Sequence, residues 1–167
     1  MNDQFNADEV FEIAEQIERN GAAFYRKAAE ATDLPSAKRL LTQLAEMEDR
    51  HEHTFAGMRE DLHRKHPDWL PKFFDAEGES ETAQYMQAMA RDLIFKPATA
   101  PAELPSRRLE RILEVAIGRE KDSIVYYLGM KDTVPADLGR DQIDRIIREE
   151  MTHITILSRE LAAHQND

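Results

Sequence analysis

The sequence predicts an all-α protein, a bundle of four long helices, on two observations. Four long segments place apolar residues at spacings of three and four, and no segment alternates apolar and polar residues as a half-buried strand does. A glutamate and histidine pattern also occurs twice at an offset of 102 residues, with spacings that suit facing helices. The 167 residues are enough for one buried core, so we expect a single domain over 1–167.

The predicted helices form two hairpins, at about 8–66 and 104–164. The four helices are expected at about 8–31, 35–66, 104–131 and 135–163. Pro35 suits the first turn of the second helix, since the N–H that proline lacks has no intrahelical partner there. The connection at about 67–103 contains several prolines and a short amphipathic helix at about 80–93. A connection of that length can run along the bundle, so the second and third helices can be parallel.

Composition excludes several classes of function. The formal net charge of −11 argues against a nucleic-acid surface, which needs a basic stripe. No apolar run approaches the roughly 20 residues that span a bilayer, so we expect no membrane partner. The acidic N-terminal residues do not resemble a secretory signal, which makes the cytoplasm the expected compartment. With no cysteine, the chain has no disulfide and no thiolate-bound metal.

The repeated pattern is a lone glutamate followed by a Glu-x-x-His motif. Its two copies are Glu18 with Glu48-x-x-His51, and Glu120 with Glu150-x-x-His153. In each copy the lone glutamate precedes the motif by 30 residues, and the midpoints fall at Asp33 and Pro135, in the predicted turns. Residues equidistant from the turn of an antiparallel pair lie at equal height, so each hairpin should bring its glutamate level with its motif. The copies suggest two hairpins related by an approximate two-fold axis.

The acidic residues of the repeat fall on the apolar faces of the predicted helices. Four ionised carboxylates in one core would be very costly without compensation. Two divalent cations would offset their charge, and the i, i+3 spacing places each motif glutamate and its histidine on one helical face. Buried pairs with arginine are the alternative, but Arg50, Arg119 and Arg148 lie off the apolar stripes. The pattern therefore predicts a dinuclear metal site.

These motifs resemble the ligands of the ferritin-like superfamily, most closely its rubrerythrin-like branch. The resemblance rests on Glu18, Glu48-Asp49-Arg50-His51, Glu120 and Glu150-Met151-Thr152-His153. It implies a ferritin-like bundle in which Glu48 and Glu150 bridge or chelate the metals. Glu18 and Glu120 would be terminal ligands, with His51 and His153 binding one metal each. Carboxylates with two imidazoles favour two iron ions, with manganese or zinc as alternatives.

Two tyrosines are candidate catalytic residues. Tyr25 and Tyr127 each follow a lone glutamate by seven residues, two helical turns along the same face. Long side chains lean toward the N-terminus of a helix, so both phenols should tilt toward the metals. They could donate a hydrogen bond or a proton to bound oxygen species. The alternative, weighted equally, is an ordinary core tyrosine whose hydroxyl has found a partner.

Three functions fit these residues. The first is a di-iron protein that reacts Fe(II) with O2 or H2O2, as a ferroxidase or peroxidase. The second is a non-catalytic iron-binding, storage or trafficking protein, and the third is an interaction bundle with a vestigial site. Rubrerythrins also carry a Cys-ligated rubredoxin domain, so a peroxidase without cysteine needs an external electron-donor protein. They usually have a further glutamate near the third-helix ligand, where this chain has Ile117 and Ser123. Both departures favour iron oxidation or handling.

Other candidate residues are weaker. His63, His66 and His164 lie near helix ends, where solvated histidines interact well with the helix dipole and a peripheral metal site is the less favoured hypothesis. Trp69, Phe73 and Phe74 suit a cap on the bundle or a dimer contact, and a homodimer or larger homo-oligomer is expected. His53 is two residues from His51 and should point away from the site.

Overall fold

The computed structural model of the chain describes residues 7–66, 88–89, 108–134 and 136–165. This part of the chain forms four long helices and contains no strand, so the all-α prediction is confirmed. The helices are α1 (Ala7–Ala31), α2 (Pro35–Lys65), α3 (Arg108–Thr133) and α4 (Arg140–His164). None of the helices described is long and apolar enough to cross a membrane.

The fourth helix begins later than the sequence predicts. It starts at Arg140, whereas the sequence predicts a start at Pro135, a residue outside those described. Gly139 has φ +82°, in the left-handed region that favours glycine, so a right-handed helix cannot continue through it. Its carbonyl accepts from the N–H groups of Gln142 and Ile143 at 2.8 and 3.1 Å, which closes the first turn of α4. The predicted start at Pro135 is therefore wrong.

The packing of the helices confirms the predicted topology. α1 packs along α2, and α3 along α4, while α1 also contacts α3 and α2 contacts α4. Tyr25 of α1 bonds to Glu120 of α3, and Glu18 bonds to Tyr127, so α1 and α3 run in opposite directions. The three-residue turn between α1 and α2 reverses the chain as well. It follows that α2 and α3 are parallel, as the sequence predicts.

Most of that connection lies outside the described residues. Residues 88 and 89 are helical, and Met89 packs partly buried against the core. The rest of the predicted short helix at about 80–93 lies outside the described part, as do Trp69, Phe73 and Phe74.

The core of the bundle consists of two apolar clusters. One cluster contains Val10, Phe11, Ala14, Ile17, Phe55, Met58, Leu62, Tyr126, Tyr127, Met130, Val134, Leu138, Ile143, Ile146 and Ile147. The other contains Phe24, Tyr25, Ala28, Ala29, Leu41, Leu44, Ala45, Ile112, Leu113, Ala116 and Leu157. Along each helix, the buried glutamates and histidines fall between the residues of these two clusters. The polar layer therefore has apolar packing above and below it.

Candidate metal centre

All six predicted ligands meet in the polar layer at the centre of the bundle. They are Glu18, Glu48, His51, Glu120, Glu150 and His153, each no more than 5% exposed. They form two overlapping groups, one of Glu18, Glu48, His51 and Glu150 and the other of Glu48, Glu120, Glu150 and His153. Within each group, one potential ligand atom from every residue lies within 4.8 Å of the others.

The hairpin geometry explains why the groups form. Each lone glutamate meets the Glu-x-x-His motifs at the height that its distance from the turn predicts. The i, i+3 spacing then aims the glutamate and histidine of each motif into the same layer. Both groups share Glu48 and Glu150, the two residues that the resemblance implies as bridges.

Both imidazoles present Nδ1 to the carboxylates, in two nearly equivalent arrangements. His51 Nδ1 lies 3.5 Å from Glu18 Oε2 and 3.0 Å from Glu150 Oε1. His153 Nδ1 lies 3.5 Å from Glu120 Oε1 and 2.8 Å from Glu150 Oε2. The two rings are nearly parallel, with centroids 5.8 Å apart. Under the offset of 102 residues, the contact of His51 with Glu150 corresponds to that of His153 with Glu48, at 3.0 and 3.3 Å, so the approximate two-fold relation extends to these side chains. The contact of His153 with Glu150 has no counterpart within 4 Å between His51 and Glu48.

The Glu150 carboxylate lies between the two histidines. Its two oxygens face different histidines, Oε1 toward His51 and Oε2 toward His153. Glu48 Oε1 lies 3.3 Å from His153 Nδ1 and completes the second group. A carboxylate with one oxygen on each side of the layer can hold two cations at once.

A glycine makes room for Glu48, which the sequence analysis did not foresee. A Cβ atom at Gly21 would lie 2.8 Å from Glu48 Oε2, closer than a real Cβ contact allows. Gly21 is three residues after Glu18, on the same face of α1. The absence of a side chain at this position lets the Glu48 carboxylate occupy the layer.

Unpaired buried atoms test whether metal ions fit this site. Among the described residues, seven fully buried side-chain nitrogen and oxygen atoms lack a hydrogen-bond partner, and all belong to predicted ligands. They are Glu18 Oε2, Glu48 Oε1, both Glu150 oxygens, His51 Nδ1, and both ring nitrogens of His153. Buried polar groups are normally paired, because leaving one unsatisfied costs about 1–3 kcal/mol. Six of these atoms face the layer and have the chemistry of cation ligands, so the residues fit two metal ions.

Three of the four carboxylates have raised pKa values, whereas at Glu120 burial is outweighed by contacts with His153, Glu150 and Tyr25, which lower the pKa. Burial, reinforced by the charge of Glu150, raises the pKa of Glu18. Burial and the charge of Glu18 raise the pKa of Glu48 well above its usual range. Burial and the charge of Glu48 raise the pKa of Glu150 to about 7. A bound cation would reverse this preference, since it favours the charged form of every carboxylate beside it.

The histidines partly take the place of cations in the metal-free protein. Burial favours neutral imidazole, but contacts with Glu150 and Glu18 outweigh it and raise the pKa of His51 to about 11. Burial is likewise outweighed at His153, whose pKa rises to about 12 through Glu120, Glu150 and Glu48. Both rings are therefore protonated at neutral pH and must lose a proton before they can bind a metal.

The two candidate tyrosines reach the ligand layer from opposite sides. The Tyr25 hydroxyl donates to Glu120 Oε1, and the Tyr127 hydroxyl donates to Glu18 Oε1. Burial and the neighbouring carboxylates raise both phenol pKa values well above normal, so each phenol keeps its proton. The predicted tilt toward the site is thus present, with a ligand carboxylate as the partner of each hydroxyl. Their catalytic role stays a prediction.

The peripheral histidines are not brought together. His63 Nε2 lies 2.7 Å from Asp8, while His66 Nε2 lies 2.9 Å from Asp137, and neither histidine belongs to a metal-ligand group in the described part of the chain. His53 is exposed and its Nδ1 contacts the Asp49 carbonyl, as expected for a ring that points away from the site.

Sequence reasoning missed one polar neighbour of the site, Glu149. Its Oε2 lies 2.9 Å from His51 Nε2, on the side of the ring opposite the ligand layer. No signal in the sequence distinguishes this glutamate from the many others on the helix surfaces.

Comparison with known proteins agrees with this architecture. The family model described as Rubrerythrin matches residues 2–59, a segment that contains Glu18, Glu48 and His51. A search of curated proteins finds no match. Among solved structures, a Thermotoga maritima protein described as ferritin-like and diiron-carboxylate is 20% identical to the chain, with a TM-score of 0.66. The alignment covers 97% of this chain and 98% of that one, which shows a shared fold.

The family match covers the first hairpin, and the structural match covers nearly the whole bundle. The segment matched by the family model contains three of the six predicted ligands. The structural match extends over the segments that contain the other three. The resemblance drawn from the ligand motifs therefore has support at two levels: residues 2–59 match the Rubrerythrin family model, and the chain shares the fold of a protein described as ferritin-like.

Proposed function

We propose that the protein binds two iron ions and oxidises Fe(II) with O2 or H2O2. The observation that supports this most directly is the set of fully buried atoms without a hydrogen bond, which belong to five of the six potential ligands. Iron is favoured because carboxylates with two imidazoles suit it, with manganese or zinc as alternatives. The Thermotoga maritima protein of the same fold is described as diiron-carboxylate, which supports the same choice.

The ligands would divide between the two ions as the two groups do. Glu18 and His51 would hold one ion, and Glu120 and His153 the other. Glu48 and Glu150 would bridge, since each belongs to both groups. Two divalent ions carry four positive charges, which offsets four carboxylates while the imidazoles stay neutral.

When bound, two Fe(II) ions supply one electron each, enough with two protons to reduce O2 to H2O2 or H2O2 to two water molecules. The chain's own residues would manage protons and exclude solvent. Tyr25 and Tyr127 hold protonated hydroxyls beside the terminal carboxylates. The apolar clusters above and below the layer limit the access of water, which strengthens electrostatic interactions within it.

Iron oxidation or handling is favoured over peroxide reduction as the principal activity. These 167 residues contain no cysteine that could hold rubredoxin-type iron, so the electrons for a cycle that consumes peroxide would come from outside them. A non-catalytic storage or trafficking protein with the same ligands is the alternative. The proposal also includes a cytoplasmic location, no nucleic-acid or membrane partner, and a homodimer or larger homo-oligomer.

Metal analysis and rapid kinetics test the proposal together. We expect two Fe(II) per chain under anaerobic conditions, and loss of this stoichiometry in Glu48→Ala and Glu150→Ala. Glu114→Ala is the matched control, because Glu114 is half-exposed and pairs with Arg111 instead of a predicted ligand. Unchanged binding in the Glu48 and Glu150 variants would refute the site.

The reaction itself is tested by mixing the Fe(II)-loaded protein with O2 or with H2O2 in a stopped-flow instrument. We expect a fast absorbance change that depends on the oxidant. Stoichiometric iron binding without that change would refute the oxidase proposal and favour storage or trafficking.

A further inference from the structure

The two histidines of the site differ on the side that faces away from the carboxylates. His51 Nε2 lies 2.9 Å from Glu149 Oε2. His153 Nε2 is fully buried and has no hydrogen-bond partner among the described residues. On the inner side each ring faces a group of three glutamates, although His153 Nδ1 lies within 4 Å of all three carboxylates and His51 Nδ1 within 4 Å of two. The contact with Glu149 is a further departure from the approximate two-fold relation of the site.

The sequence repeat explains the difference. Position 149 corresponds to position 47 under the offset of 102 residues, and the chain has Met47 there. A methionine sulfur is only a weak acceptor, whereas a carboxylate accepts strongly from a ring N–H. The second histidine therefore lacks, at the related position, the carboxylate that the first histidine has.

Glu149 is placed to act on a metal through His51. When a metal displaces the Nδ1 proton of His51, the Glu149 carboxylate can hold the other ring proton on Nε2, which leaves the Nδ1 lone pair directed into the ligand layer. A carboxylate behind a metal-bound histidine fixes the orientation of the ring and makes it a stronger ligand. The Glu149 side chain is 50% exposed, while His51 is almost fully buried, so this contact joins the buried ring to the surface of the bundle.

We infer that Glu149 is a positioning residue that makes the two metal positions unequal, so that the position beside His51 binds a divalent cation more tightly and fills first. This inference rests on the proposed dinuclear site. It adds an order of loading that the identities of the six ligands do not specify, since each group consists of three glutamates and one histidine.

Stepwise binding of Co(II), measured anaerobically in competition with a chelating dye, tests the inference. We expect wild-type protein to bind two Co(II) with two clearly different association constants. Loss of a carboxylate behind a metal-bound histidine typically costs about 10–100-fold in affinity. Glu149→Leu should lower the tighter constant by about that factor and leave the weaker one unchanged. Glu149→Gln keeps a hydrogen-bond acceptor but removes the charge. Its tighter association constant should lie between those of the wild type and Glu149→Leu.

The control variant is Glu114→Leu, which removes the same charge from a side chain that is 48% exposed. It should leave both constants unchanged, because Glu114 pairs with Arg111. Met47→Glu is the reciprocal variant and should raise the weaker constant by giving His153 a carboxylate behind its ring. Proton NMR at one equivalent of Co(II) should show a single shifted ring N–H, altered in the Glu149 variants only.

The outcomes separate this inference from the proposed function. Binding of fewer than two Co(II) by wild-type protein would refute the dinuclear site. Two ions bound with equal constants, or constants that Glu149→Leu and Glu149→Gln leave unchanged, would overturn the inference while the site stands. A fall in thermal stability without a change in either constant would show that Glu149 has only a structural role.

Discussion

The hydroxyl of Tyr25 donates to Glu120, a predicted metal ligand that belongs to the other hairpin. The reciprocal bond runs from Tyr127 to Glu18, so each hairpin supplies the donor for the terminal carboxylate of its partner. These crossed bonds tie the two hairpins together at the level of the site. They also orient the two carboxylates that would be terminal ligands.

Removal of these hydroxyls should lower the rate of Fe(II) oxidation more than it lowers the stability of the fold. We expect Tyr25→Phe and Tyr127→Phe to keep the fold and to slow Fe(II) oxidation about 10–100-fold, the usual effect of losing a partner of a ligand. The control is Tyr126→Phe, since the Tyr126 hydroxyl donates to the Val10 carbonyl and to no ligand. Stopped-flow rates at matched iron loading provide the measurement. Equal rates in all three variants would mean that the phenols serve packing alone.

A methyl group at Gly21 should impair metal binding. In Gly21→Ala the new Cβ would overlap Glu48 Oε2, and the carboxylate would have to leave its place in the layer. We expect the metal affinity to fall about tenfold or more, comparable with the effect of removing a residue that hydrogen-bonds to a metal ligand. Gly57→Ala is the control, because a Cβ there meets nothing within 4 Å. It should stabilise α2 by up to about 1 kcal/mol and leave the titration unchanged.

Metal binding should release protons and strengthen as the pH rises. The pKa values of His51 and His153 are about 11 and 12 in the metal-free protein, so both rings carry a proton at pH 7 that a metal must displace. Calorimetric titration with Zn(II) in buffers of different ionisation enthalpy should show release of about two protons or more per pair of metals. Release of no protons would contradict the protonated state of the rings.

The raised pKa of Glu150 should appear in the stability of the metal-free protein. Its folded pKa of about 7 exceeds the usual 4.5, so its contribution to folding is present below about pH 4.5 and is lost as the pH rises through 7. Above pH 7 the ionised carboxylate is buried at a cost, and Glu150→Gln should stabilise the metal-free protein by up to about 3 kcal/mol. Near pH 4.5 the difference should vanish.

Denaturant unfolding of the metal-free proteins at both pH values provides the measurement. Added metal should make the wild-type protein more stable than Glu150→Gln. The variant lacks a predicted bridging carboxylate, whereas the wild-type protein is stabilised by metal binding. A Gln variant that is less stable than wild type at pH 8 without metal would contradict the assigned pKa.

The fold could be predicted from the sequence because helical periodicity and turn residues are local signals. The equal spacing of Glu18 from Glu48 and of Glu120 from Glu150 was enough to predict one ligand layer. The start of α4 could not be placed, since the left-handed conformation of Gly139 depends on how the turn packs. Contacts that depend on the crossing of particular helices were also beyond prediction, as Gly21 and Glu149 show.

The sequence by itself determined that the chain has two copies of one helical hairpin with acids and histidines on their apolar faces. Helical periodicity and the repeat offset can be read along the chain alone. They specify which residues share a helix face and which lie at the same height in a hairpin. Only the tertiary structure decided which hairpin supplies each partner, because the relative position of the two hairpins depends on packing across the bundle. It pairs Tyr25 with Glu120 and places Glu149 behind His51, so the site is symmetric in its ligands and unequal in their support.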